Sequence, residues 1–232
     1  MVGFTGTVNL TTNAGTITPT VSASFILGIL ASQAVTVTQA AALRTITATM
    51  TSGTATGTSN TFTVAAGAFT KLQLLVPGET AAPGTTTGKT GTPSASTAVS
   101  AFIVTVNAVD ANWNLVSSTN TVAITSSDVN ATLPVNAALV AGTQTFSVTL
   151  NTAGSYTVTA TNFTDGGKTP NTSPSITVNA GAFTKLQLLV PGEAAAPGTG
   201  TGKTGAPSAH SVGSAFTVTV NAVDANWNLV NT

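Results

Sequence analysis

The chain has 232 residues, only 5% of them charged, with a formal net charge of zero and no cysteine. This excludes a basic footprint for nucleic acid or an anionic membrane surface, and it excludes disulfides and thiolate metal sites. Charge this sparse accompanies disorder when apolar residues are also scarce, but 42% hydrophobic content and a mean hydropathy of +0.37 argue for a folded chain, long enough for one large domain or two ordinary ones.

Threonine makes up about a fifth of the residues and is interleaved with Val, Ala, Leu and Ile. Branched side chains at period two fit a pleated, half-buried surface, and strong helix formers are few, so the expected class is all-β. The N-terminus shows no charged region followed by an apolar block and cleavage site, so no signal peptide is visible in it. "TGTVNLTTN" from Thr5 opens the strands. "FILGIL" at 25–30, the longest apolar run, has the length of a strand and is far too short to span a membrane. Val35, Val37 and Ile46 alternate as inward positions, and "RTITAT" from Arg44 follows.

Seven short strands separated by turn residues are expected between 67 and 180, the spacing of a β-sandwich. Phe69 to Val76 puts Leu72, Leu74 and Val76 on one face and stops at Pro77–Gly78. "APGTTTGKTGTPS" at 82–94 has the look of a phosphate-binding loop. Only three residues separate Gly84 from Gly88, and Lys89 leads into Thr90, Gly91, Thr92 and Pro93, where no helix can start to face an anion. The stretch therefore reads as a long Gly/Pro/Thr loop between two strands. Phe102 to Val109, Thr121 to Thr125, and short runs at 138–140, 146–150, 156–160 and 176–178 complete the set.

An internal repeat governs the rest. "AGAFTKLQLLVPGE" recurs at 66–79 and 180–193, and "NAVDANWNLV" at 107–116 and 221–230, both offset by 114. Between 67–118 and 181–232, 42 of 52 positions are identical, which marks a duplicated module. The same offset aligns "TGTVNLTTN" with "TNTVAITSS" from Thr119, and "RTITAT" aligns with "YTVTAT" from Tyr156. The expected organisation is one complete unit at 67–180, the second half of a unit at 1–66 and the first half of another at 181–232. Ends inside a repeat arise from truncation of a longer array or from halves that complete one another between chains.

"FIVTVNAVDANWNLV" at 102–116, the "TFSVTLNTAGSYTVTAT" hairpin at 145–161 and the closing "SITVNAG" at 175–181 resemble the bacterial immunoglobulin-like repeats of invasin- and intimin-type surface proteins. The chain departs from that pattern at Trp113, where the family's turn usually has glycine, and at Arg44, which replaces the tyrosine of the later hairpin. The resemblance implies tandem Ig-like sandwiches, an extracellular or bacterial cell-surface location, no cofactor and no catalytic activity. It also implies a stalk whose partners are neighbouring repeats and, where it adheres, host-surface or matrix glycans or proteins.

Candidate sites are few. The sole histidine, His210, has Ser96 as its counterpart and no nucleophile or carboxylate evident beside it, and the six acidic residues are scattered without a close carboxylate pair. In "DANWN", Asp110, Asn112 and Asn114, repeated as Asp224, Asn226 and Asn228, place side-chain oxygens at alternate positions as calcium loops do. The glycine and bidentate glutamate of such loops are missing, and Asx turns use the same spacing to bond their own backbone. Trp113 and Trp227 sit in these turns, either as plugs of the joint between modules or as sugar platforms of a carbohydrate-binding sandwich. Thr-x-Thr runs such as Thr45, Thr47 and Thr49 read as solvent-facing strand positions, since an ice-binding array needs far shorter coils. Lys71 and Asn179 could form an isopeptide bond only beside a buried acid, and none is evident.

Overall fold

A computed structural model describes residues 3–231. The chain is all-β, as its composition requires, and its sheets are built from antiparallel strands with one short parallel pair, Ser96–Thr97 on Ile176–Asn179.

In the stretch 67–180 two layers face one another. The first contains Thr143–Thr149, Ala101–Val109 and Lys71–Leu75, in that order, with Val104 opposite Phe146 and Val106 opposite Leu74. The second contains Ala137–Ala138, Thr121–Ser126, Val158–Asn162 and Asn171–Thr172, and Ser96–Thr97, Ile176–Asn179 and Gly154–Tyr156 add a short sheet that shares the same core. The alternation read from sequence sets the inner faces. Leu72, Leu74, Val104, Val106, Val148 and Leu150 on one side meet Val122, Ile124, Val158 and Ala160 of the second layer and Ile176 and Val178 of the short sheet, all buried. Outward threonines pair across strands instead, Thr159 with Thr172 at 2.9 Å and Thr47 with Thr58 at 3.0 Å between hydroxyls.

Three expectations are corrected. The loop after Gly78 is not irregular throughout: Glu79–Ala81 and Lys89–Gly91 form an antiparallel hairpin. Lys89 Nζ meets Glu79 Oε1 at 2.8 Å, with the carboxylate side chain only 1% exposed, so the lysine that imitates a phosphate-loop lysine is spent within its own hairpin. Second, the two arms of "TFSVTLNTAGSYTVTAT" are not partners. Thr143–Thr149 pairs with Ala101–Val109 whereas Val158–Asn162 pairs with Thr121–Ser126, so the segment crosses from one layer to the other. Buried Asp128 fixes that crossing by accepting the N–H groups of Asn151 (2.8 Å) and Thr152 (3.0 Å) and the Thr152 hydroxyl (2.9 Å). Third, "FILGIL" is a tight turn with Ile26 bridged to Ile29 and Ile26, Leu27 and Ile29 exposed. Leu27 and Gly28 take positive φ there, a conformation no strand allows.

The flanking stretches repeat parts of this pattern. Val8–Thr12 pairs with Ile46–Met50, Leu10 opposite Ala48, in the register of Ile124 opposite Ala160. Val8, Leu10 and Ile17 make a small core with Phe4, Phe25, Val37 and Ile46. At the other end Lys185–Leu189 pairs with Thr219–Val223, and Glu193–Ala195 pairs with Lys203–Gly205, as their sequence counterparts do in the centre.

Candidate functional site at the two junctions

The strand Ala101–Val109 ends at Asp110, whose carboxylate closes the following turn. Oδ1 accepts the N–H groups of Asn112 (2.8 Å) and Asn114 (3.0 Å), the Asx geometry that the spacing implied. Oδ2 accepts the N–H of Gly67 at 2.8 Å, tying the turn to the segment that enters this stretch, and Asn114 Nδ2 lies within 3.2 Å of both oxygens. Asp110 is 4% exposed. Burial by itself pushes its pKa up, but the donors from Gly67, Asn114 and Asn112 outweigh burial and hold the carboxyl below its ordinary value.

Asn114 then reaches across the junction. Its Oδ1 accepts the N–H of Ala40 at 2.8 Å and its Nδ2 donates to the carbonyl of Thr38 at 2.9 Å. One side-chain amide thus imitates a strand residue, satisfying a donor and an acceptor two residues apart. Thr38 returns the contact by donating its hydroxyl to the Gly84 carbonyl at 2.7 Å, and the Gly84 N–H donates to Asn112 O at 2.8 Å.

The second junction repeats the Asp–Asn part of this network. Asp224 accepts from Gly181 (2.8 Å), Asn226 (2.8 Å) and Asn228 (2.9 Å), and its pKa is likewise lowered because the donors from Asn228, Gly181 and Asn226 outweigh burial. Asn228, with no exposed surface, donates to the Asn151 carbonyl at 3.0 Å and accepts the Ala153 N–H at 2.8 Å. Asn130 Nδ2 adds a bond to the Pro197 carbonyl at 3.3 Å.

Trp113 lies beside the first junction, half-buried. Its φ of +67° is the left-handed conformation that favours glycine, so the tryptophan is held in a backbone conformation that is costly for a bulky residue. Lys71 Nζ sits 3.5 Å over the indole, and Nε1 donates to the Thr86 carbonyl at 3.2 Å. A Cβ at Gly88 would fall 2.1 Å from the ring, so only glycine fits against it. The indole also borders a cleft of about 340 Å³ shared with Thr16 and Thr38 from the preceding stretch. Trp227 repeats the arrangement with Lys185 at 3.5 Å and the Gly200 carbonyl at 3.3 Å.

Every charged side chain has such a local engagement. Glu79 and Lys89, Glu193 and Lys203, and Asp165 and Lys168 form pairs. Asp110, Asp128 and Asp224 accept backbone N–H groups, and Lys71, Lys185 and Arg44 donate to the carbonyls of Ala111, Ala225 and Asn13. Lys71 Nζ thus bonds Ala111, and Asn179 pairs with Thr97 through the backbone. His210 stacks on Phe216 with ring centroids 4.3 Å apart.

Sequence reasoning found the "DANWN" turn but not the bonds that cross the junction. Asn114 and Asn228 are identical side chains in identical turns, the one available signal. Their acceptors are backbone groups of Thr38 and Asn151, different residue types, so composition carries no trace of that half of the contact.

The fold defines an all-β chain of antiparallel sheets. No family model matches it, and no curated protein matches it. Among solved structures it is similar to that of the surface-layer protein SbsC, domains 1-6, at 16% identity, with 96% of this chain and 24% of that chain covered and a TM-score of 0.34. The chain spans about a quarter of that structure's length, and a superposition this loose carries no functional argument.

Proposed function

We propose that the chain is a non-catalytic structural spacer of an extracellular or bacterial cell-surface protein. In this reading 67–180 is a complete Ig-like unit, 1–66 and 181–232 are partial ones, and successive units stand end to end. The observation that carries it is the recurrence of one clasp at both junctions, an Asp–Asn turn holding the linker through Gly67 or Gly181 and the preceding stretch through Thr38–Ala40 or Asn151–Ala153. Spacers need such bonds because a short linker alone leaves relative motion of neighbours as the default. The sequence resemblance to invasin- and intimin-type repeats supports the location and the absence of catalysis. So does the use of each acidic and basic side chain for local structure.

On the same reading Asp110 and Asp224 are turn clasps and not calcium ligands, since their oxygens already accept N–H donors. Trp113 and Trp227 brace the joint from the side. A sugar platform requires a free indole face, whereas each ring has an ammonium group over it and packs against Gly88 or Gly202 as well.

Trp113→Ala tests this. The expected result is a stability loss of about 1–2 kcal/mol, below the value for a fully buried Trp because the ring is half-exposed, with retention on polysaccharide columns unchanged. Loss of polysaccharide binding at unchanged melting temperature would instead establish the carbohydrate-binding module.

A further inference from the structure

The hairpin of Glu79–Ala81 and Lys89–Gly91 is mounted on the sheet of its own stretch. Gln73 alternates with the core residues Leu72 and Leu74 and so points away from the core, yet it is only 1% exposed. The hairpin covers it, and Gln73 Nε2 donates to the Gly88 carbonyl at 2.7 Å. Lys89 Nζ donates to the Leu74 carbonyl at 3.2 Å, and Trp113 packs on Gly88 while bonding Thr86. In the duplicate, Gln187, Lys203 and Trp227 bond the carbonyls of Gly202 (2.6 Å), Leu188 (3.3 Å) and Gly200 (3.3 Å) in the same way. Both hairpins are thus held firmly at the base, which leaves the tips at Pro83–Gly84 and Pro197–Gly198 to meet a neighbour.

Both tips press on the preceding stretch at one place. Gly84 and Gly198 have φ of +80° and +78°. A Cβ on Gly84 would fall 2.8 Å from Gln39 Cβ and 3.1 Å from Gln39 Cα, and one on Gly198 would fall 2.2 Å from Thr152 Oγ1 and 2.8 Å from Asn130 Nδ2. The three atoms nearest to either Cβ position all belong to the preceding stretch, so glycine here serves the close approach of a neighbour as well as the turn. Gln39 and Thr152 are equivalent, since each directly precedes the residue, Ala40 or Ala153, whose N–H the clasp asparagine accepts. A neutral side-chain donor beside each then bonds a tip carbonyl, Thr38 Oγ1 to Gly84 O at 2.7 Å and Asn130 Nδ2 to Pro197 O at 3.3 Å.

We propose that the two hairpins are docking arms whose Pro–Gly tips recognise the preceding repeat. The partner that fits is a repeat surface with open backbone at the place of Gln39 or Thr152 and one neutral hydrogen-bond donor beside it. A carboxylate in the donor's place would face a carbonyl oxygen and be rejected. On the spacer reading, on which this rests, the arm adds to the Asp–Asn clasp a second attachment carried by a different element, and two attachments restrict rotation that one leaves free. The glycines of "APGTTTGKTGTPS" divide the work, Gly88 admitting the tryptophan of its own stretch and Gly84 the backbone of the stretch before.

Spin labels at Thr11 and Thr145, exposed strand positions on either side of the first junction, test the proposal in this cysteine-free chain. Pulsed electron–electron resonance should give one narrow distance peak when the chain is otherwise unaltered. Gly84→Ala drives a methyl group against Gln39, and Thr38→Val removes the donor while changing nothing on the arm. Each should broaden or displace the peak although Asp110 and Asn114 are intact. Hydrogen exchange in the central strands should match that of the unaltered chain, which shows that the variants fold; where Gly84→Ala does not, Thr38→Val decides alone. A peak that stays narrow and in place in either folded variant overturns the docking arm and leaves the spacer reading standing. A peak already broad in the otherwise unaltered chain overturns both.

Discussion

Asp110→Ala should destabilise the chain by about 3–4 kcal/mol, the loss of several charge-assisted hydrogen bonds with the N–H groups of Gly67, Asn112 and Asn114 left without an acceptor. Denaturant titration followed by tryptophan fluorescence measures it, since Trp113 sits within the turn. Asn114→Ala should cost less alone, and the double variant should cost less than the sum, because both residues serve one network. Strict additivity would contradict the clasp. The pH dependence follows from the lowered carboxyl. A pKa depressed in the folded state contributes stability that is present above the unfolded value of 3.8 and is lost as pH falls through the folded pKa. Acid below about pH 4 should therefore weaken both junctions, and Asp110→Asn should flatten that part of the profile.

Leu74→Ala should cost about 3–4 kcal/mol, within the range for emptying a fully buried leucine position. Leu188→Ala, the same substitution at the same place in the duplicated sequence, should cost well under 1 kcal/mol in dilute solution, because Leu188 is 52% exposed. Thermal unfolding of the two variants checks the pair. Equal losses would mean that the C-terminal face is covered within the monomer.

The contrast between those leucines also marks what the sequence could convey. Alternation along Phe102–Val109 and Thr121–Thr125 specifies strands and inner faces because it records the pleat directly. It reads the same for Leu186 and Leu188, whose opposing layer is not there, since pattern encodes which way a side chain points and not what it meets. Pairing is subject to the same limit. Thr145–Leu150 and Tyr156–Thr161 alternate equally well as hairpin arms or as strands of opposite layers, and the deciding residue is Asp128, distant in sequence. The hairpin after Gly78 was hidden by composition, because three-residue strands among Gly, Pro and Thr carry no period, and the Glu79–Lys89 pair that staples it looked like part of an anion loop. "FILGIL" failed in the opposite direction, its apolar content suggesting a strand where Gly28 allows a turn. At the junction, the turn-forming Asp and Asn were legible, whereas the cross-junction bonds end on main-chain groups that any residue supplies.

A spacer of this kind requires the clasps to hold neighbouring stretches in one orientation. The chain has no cysteine, so a single pair of spin labels can be placed cleanly at Thr54 and Ser147, exposed positions on either side of the first junction. Pulsed electron–electron resonance between these labels should give one narrow distance distribution, which the Asp110→Ala, Asn114→Ala double variant broadens while the central sandwich stays folded. A distribution already broad in the otherwise unaltered chain, and no broader in the double variant, would contradict a clamped spacer.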